Sequence, residues 1–209
     1  MTIAASFVEV SLASDQSGVA LIQDPHLVAP QGIALDAGNG GFWIADQATG
    51  VATIYRGDAN GSPFVRDPLV VSIPGGAATG MVANATSGFS IGGSALASFI
   101  FDTASGQLAA WNADVPPPAP SDAAQSAATK PSAVYTGLAQ LGNGQGNYLL
   151  AANFHAGQID VFDDHFAPAA LTGDLVDPDL PSGYAPFNLA DSIGLQVCGF
   201  LSPSVRLTP

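Results

Sequence analysis

The chain has 209 residues, is 47% hydrophobic and 10% charged, and carries a formal net charge of −13. That apolar content excludes a disordered chain. Four Lys and Arg against 17 Asp and Glu argue against nucleic acid or an anionic membrane as a partner.

All the acid except Glu9 is Asp, Lys130 is the sole lysine, and there are 24 Gly and 16 Pro. Helix surfaces are normally furnished with Glu, Lys, Arg and Gln, so this composition predicts an all-β chain of strands and turns. The acidity suits plain solubility, a metal cation or a cationic ligand. No run of residues approaches the roughly 18 apolar positions of a membrane-spanning helix. Residues 1–10 lack a basic segment followed by a long apolar one, so no secretory signal is expected and localisation stays open. Cys198 stands alone, which leaves no intrachain disulfide and no reading of redox compartment.

In chain order, residues 6–12 alternate apolar and polar side chains and predict an outer strand. A turn follows at Asp24-Pro25-His26-Leu27. The first unit, residues 30–75, opens with Pro30-Gln-Gly32-Ile-Ala. It continues with the apolar run 41–46 ending at Asp46, a turn through Gly50, and an alternating run ending at Tyr55. Residues 68–74 are expected to add its fourth strand.

The second unit, 78–134, repeats the pattern with Gly80, Asp102, Gly106 and Trp111. Its segment 114–130, rich in Pro, Ala and Ser, reads as a loop. The third unit, 135–183, has Gly137, Asn153, Gly157 and Phe162 in the same places, and Asp163-Asp164 makes a hairpin turn. The Asp-Pro turn recurs at Asp177-Pro178-Asp179-Leu180. A fourth unit then starts with Pro186-Phe-Asn188-Leu-Ala but lacks its second and third strands, and residues 194–209 change character.

A period of about fifty residues with four short antiparallel strands per unit predicts propeller blades. The expected fold is therefore a half β-propeller over residues 1–193, with about three four-stranded blades and an anomalous tail. A half ring leaves open sheet faces that a soluble monomer rarely tolerates, so a homodimer completing six blades is expected.

The Pro-x-Gly-Ile-Ala pattern, the strand ending in Ala45-Asp46 and the Gly-containing turn resemble NHL-type and gluconolactonase-type six-bladed propellers. Residues 14–20 with 24–28, 151–163 and 180–188 are similar to an uncharacterised family of secreted bacterial propeller proteins. Against that family this chain looks like a truncated half.

The loop before a blade's first strand and the loop joining its second to its third open at one end. That puts His26, Gln31 and Asn188 on one rim with Asp46, Asp102, Asn153 and His155. Asp or Asn four positions before Gly is ordinary turn chemistry. His155 replaces Ala48 and Ala104 of the other two turns, so the turn does not require it. His165 belongs to the opposite rim.

The resemblance implies a divalent ion at the mouth and hydrolysis of lactones or phosphotriesters. The donors expected to hold it are His155 and Asn153 first, also the expected catalytic residues, then His26, Asp46, Asn188 and Asp102. Oxygen donors suit Ca²⁺, and His adds affinity for Zn²⁺ or Mn²⁺. Two readings compete: a metal-dependent hydrolase of small phosphoesters or lactones, and a binding or scaffold propeller without chemistry. No Gly-x-Ser-x-Gly, Walker loop or His-Glu-x-x-His motif offers another mechanism.

Overall fold

The computed structural model describes residues 9–58, 60–142, 144–171, 175 and 178–189, and these form strands and turns with no helix. The first strands are β1 (Ala13–Ser14) and β2 (Ile22–Gln23), a short parallel pair. The first sheet holds β3 (Pro30–Leu35), β4 (Phe42–Asp46) and β5 (Val51–Arg56) as an antiparallel meander. Its outer edge is shared between β6 (Val65–Arg66) and β7 (Val71–Ser72), which pair with opposite ends of β5.

The second sheet joins β8 (Ala78–Ala83), β11 (Phe99–Thr103), β12 (Gln107–Trp111) and β13 (Gln125–Thr129). The small hairpin of β9 (Ser90–Ile91) and β10 (Ala95–Leu96) branches from it. The third sheet holds β14 (Tyr135–Gly142), β15 (Asn147–Asn153) and β16 (Gln158–Asp163).

Three expectations change. Strand pairing begins at Ala13 rather than within 6–12, where residues 9–12 are irregular and the rest lie outside the described residues. The segment 114–130 is not all loop. Past its prolines, Gln125–Thr129 is free to pair with β12, and an edge strand of small and polar residues needs no apolar face. Four strands per unit hold for the second sheet, whereas the third has three among the described residues. The tail 194–209 lies outside the described residues.

Alternation along each strand builds the core. Trp43, Ala45 and Ile54 of the first sheet face Met81, Phe99, Phe101 and Trp111 of the second. Trp43 stacks on Phe99 with ring centroids 4.2 Å apart. The other side of the second sheet, with Ile100, Leu108 and Ala110, meets Tyr135, Leu138, Leu149 and Phe162 of the third. The far side of the third sheet, Ala139, Leu150, Ala152 and Ile159, is packed by Leu189.

The first strands of the units lie side by side at unusually close range. A Cβ on Gly32 would stand 2.9 Å from Met81 N, one on Gly80 2.9 Å from Leu138 N, and one on Gly137 3.0 Å from Leu189 N. Glycine is required where backbones approach this closely. The recurring Gly of the repeat is thus a packing device, and Asn188 occupies the next place in the series.

Candidate functional site

Asp24 and His26 precede β3, and they meet the ends of β5 and β6. The buried Asp24 carboxylate accepts the Tyr55 hydroxyl at 2.7 Å and the backbone N–H of His26 at 2.9 Å. Its Oδ1 is 3.2 Å from His26 Nδ1. Arg66 Nε lies 2.5 Å from Asp24 Oδ2, a charge contact without hydrogen-bond alignment. Burial pushes the Asp24 carboxyl up, but the His26 amide, Tyr55 and Arg66 outweigh it and hold the group below its usual range. The His26 side chain is 42% exposed, so its ring joins a buried carboxylate to solvent.

Asp46, beside this cluster, is fully buried. Its Oδ2 accepts the Thr53 hydroxyl at 2.8 Å and its Oδ1 has no partner. Burial is the main cause that pushes its carboxyl up to about 7; Thr53 opposes this and the charge of Asp24 adds to it. Asp102 is also buried, and burial pushes it up to about 7 against the pull of Thr79 and nearby backbone amides.

The three turn residues are not equivalent, although each stands four before a Gly. Asp46 pairs with Val51 and Asn153 with Gln158, but Asp102 pairs with Leu108. The second hairpin is therefore out of step by one residue, and a one-residue slip turns a side chain to the other face of the sheet. Asp102 consequently points towards the third sheet, and its Oδ1 accepts at 3.1 Å the hydroxyl of Thr79 in β8, which also donates to the Tyr135 carbonyl of β14.

Asn153 is buried and committed. Its Oδ1 accepts the N–H groups of Ala156 and Val134, and its Nδ2 donates to Asp160 at 2.8 Å. His155 is exposed on the turn. Asn188 is half-buried against Gly137, its Oδ1 accepting the Leu189 N–H at 2.8 Å.

These donors do not fit one divalent ion within a single chain. Asp46 and Asp102 face away from each other, Asn153 has no oxygen to spare, and His26 serves Asp24. Among the described residues no three His, Cys, Asp or Glu side chains gather as a metal needs. Of the expected set, Asp46 lies beside the His26 cluster, whereas Asn153, His155 and Asn188 belong to or pack against the third sheet.

Sequence reasoning missed Asp24, Tyr55 and Arg66, and a matching cluster in the third sheet. There Asp160 accepts Lys130 Nζ at 2.8 Å and the Tyr135 hydroxyl at 3.0 Å. Burial alone would raise the Asp160 carboxyl; Lys130, Gln158, Asn153 and Tyr135 together hold it below its usual range. The signal was the scarcity of cations. Of four in the chain, Arg56 pairs with Asp67, Arg66 with Asp24 and Lys130 with Asp160. In so acidic a chain each of the three cations among the described residues marks a paired carboxylate.

No family model matches the chain, and no curated protein matches it.

Proposed function

We propose that the chain is half of a six-bladed β-propeller closed by a second copy, and that it hydrolyses small phosphoesters or lactones at its rim. The propeller reading is supported by the Gly32, Gly80 and Gly137 contacts, which set successive inner strands at one repeating spacing. The second copy is supported by four positions that recur in the repeat. Met81, Leu138 and Leu189 are 6%, 4% and 6% exposed, each against the preceding sheet, whereas Ile33 is 65% exposed, with only the short β1–β2 pair before it among the described residues. Leu35 and Phe42 are exposed on the same face, beside an apolar cleft of about 550 Å³ that Ile33, Phe42 and Ile44 help to line.

The hydrolase reading rests on one observation, the contact of the buried Asp24 carboxylate with Nδ1 of the partly exposed His26. With Nδ1–H turned to Asp24, Nε2 is the free base. It takes a proton from water as the oxygen attacks phosphorus or the lactone carbonyl, and returns that proton to the leaving oxygen. Asp24 stays ionised and steadies the imidazolium. Arg66, whose terminal nitrogen lies 3.3 Å from Nδ1, adds positive charge beside the Asp24–His26 pair.

The test is turnover of a phosphotriester, a phosphodiester and a lactone, without metal and with Zn²⁺, Mn²⁺ or Ca²⁺. His26→Ala should lower the rate by about 100-fold or more, the usual worth of a general base. The non-enzymatic binding or scaffold reading is favoured by a different observation: Asp46, Asp102 and Asn153 serve their own turns and sheets as struts. It wins if no substrate turns over above the rate of buffer with metal.

A further inference from the structure

We infer that the segment Pro186-Phe-Asn188-Leu189 is an internal stand-in for β3 of a second copy, holding the slot against β14 that ring closure requires. The inference rests on the two-copy reading above and concerns how that closure is regulated.

The sequence supplies the resemblance. Pro186-Phe-Asn188-Leu-Ala aligns with Pro30-Gln-Gly32-Ile-Ala, sharing the Pro and the Ala and placing an aliphatic residue, Leu189, at the position of Ile33. The structure supplies equivalence of place. A Cβ on Gly32 would meet Gly80 Cα and Met81 N; a Cβ on Gly80 would meet Gly137 Cα and Leu138 N; a Cβ on Gly137 would meet Asn188 Cα at 2.8 Å and Leu189 N at 3.0 Å. Asn188 therefore sits against the third sheet as Gly80 sits against the first, and Leu189 fills the far face of that sheet as Met81 fills the first. Phe187 adds an edge-on contact to Phe154, beside His155.

A second copy that continued the series would bring its own Gly32 to the place of Asn188 and its Ile33 to the place of Leu189. Both cannot be there. Ile33 of one copy is exposed, while the sheet face it fits is covered in each copy by Leu189 of the segment. The segment forms no strand among the described residues, whereas β3 brings β4 and β5 with it. Closure is then an exchange: the segment leaves, β3 of the other copy enters, and the Phe154–Phe187 contact breaks. Each copy blocks its own slot until its partner arrives.

The experiment uses the full chain and reads the monomer–dimer constant by sedimentation across a concentration series. Phe187→Ala combined with Leu189→Ser weakens the mimic without touching the face that carries Ile33, and it should tighten dimerisation by about tenfold or more. An unchanged or weakened constant overturns the stand-in, because the segment is then either irrelevant or part of the interface. Ile33→Asp should abolish the dimer while leaving the mimic seated. A dimer that survives Ile33→Asp overturns the closure reading itself, which separates that failure from failure of the stand-in. If both the wild type and the double variant remain monomers at every concentration, both ideas fall. The thermal transition of each variant, followed by circular dichroism, identifies a variant that has lost its fold. In that case Phe187→Ala alone replaces the double variant and is held to the same criterion.

Discussion

The first and third sheets solve one problem with opposite chemistry. In each, the residue that ends the second strand reaches the residue seven positions later on the third strand, both of them buried. In the first sheet an acid, Asp46, accepts from Thr53. In the third sheet an amide, Asn153, donates to the acid Asp160. Each cluster adds a Tyr hydroxyl and a cation: Tyr55 and Arg66 on Asp24 in one, Tyr135 and Lys130 on Asp160 in the other. The third cluster has one carboxylate for one cation and is satisfied throughout. The first has two carboxyls, Asp24 and Asp46, for one Arg, so Asp46 is left with an unpartnered oxygen and a carboxyl raised to about 7. A neutral amide at the strand end frees the cation for the acid that needs it.

The harshest way to break this comparison is to remove the acid of the balanced cluster. Asp160→Ala leaves Asn153 Nδ2 and the Tyr135 hydroxyl buried without their acceptor and Lys130 without its anion. The expected loss is about 3 kcal/mol, the range for breaking a buried, hydrogen-bonded pair from one side. Urea unfolding followed by Trp fluorescence measures it. A loss below about 1 kcal/mol would mean that the cluster fills with water and is not a strut.

A gentler intervention moves the imbalance from one sheet to the other. Asn153→Asp gives the third cluster two carboxyls for one cation, as in the first. It should cost about 2 kcal/mol at pH 8 and much less at pH 4, where the new carboxyl can be protonated and donate to Asp160 as the amide does. Equal costs at both pH values would show that shape, rather than charge, selects the amide.

The repeating core was legible because its signal is periodic. Apolar runs, Gly at the turns and the aromatic that closes each third strand carried the all-β reading to the sheets that Trp43, Phe99, Tyr135 and Phe162 now fill. The polar clusters were not legible, because they join residues from different strands and linkers. Asp24 meets Arg66 and Lys130 meets Asp160 only after the sheets have formed. The facing of Asp102 was hidden for another reason. The spacing to its Gly equals that in the other two units, and the shift lies in which residue across the hairpin it pairs with. The role of the Gly in each first strand was hidden likewise, since a sequence shows a glycine but not the neighbouring backbone that forbids a side chain.

The smallest effect, and the sharpest test of the comparison, is the pH dependence of stability. Asp46 and Asp102 have folded-state values near 7, above their ordinary value of 3.8. Between roughly pH 4 and 7 the folded chain therefore binds more protons than the unfolded one, so their contribution is full below pH 4 and is lost as pH rises towards 7. Asp24 and Asp160 are lowered, so their contribution is full above pH 4 and is lost only on further acidification. The two pairs oppose each other, and stability should peak where their contributions cross, near pH 4. Asp46→Asn combined with Asp102→Asn copies the solution already present at Asn153. The double variant should gain about 1–2 kcal/mol at pH 8 and almost nothing at pH 4, moving Tm at pH 8 upward by a few degrees for a chain of this size. Asp102→Asn alone should give part of that gain, because its side chain faces the third sheet and shares no partner with Asp46. Melting curves from pH 4 to 8 for the wild type and the variants decide it. If the wild type is as stable at pH 8 as at pH 5, or if the double variant keeps the same slope, the buried acids are not what separates the first two sheets from the third.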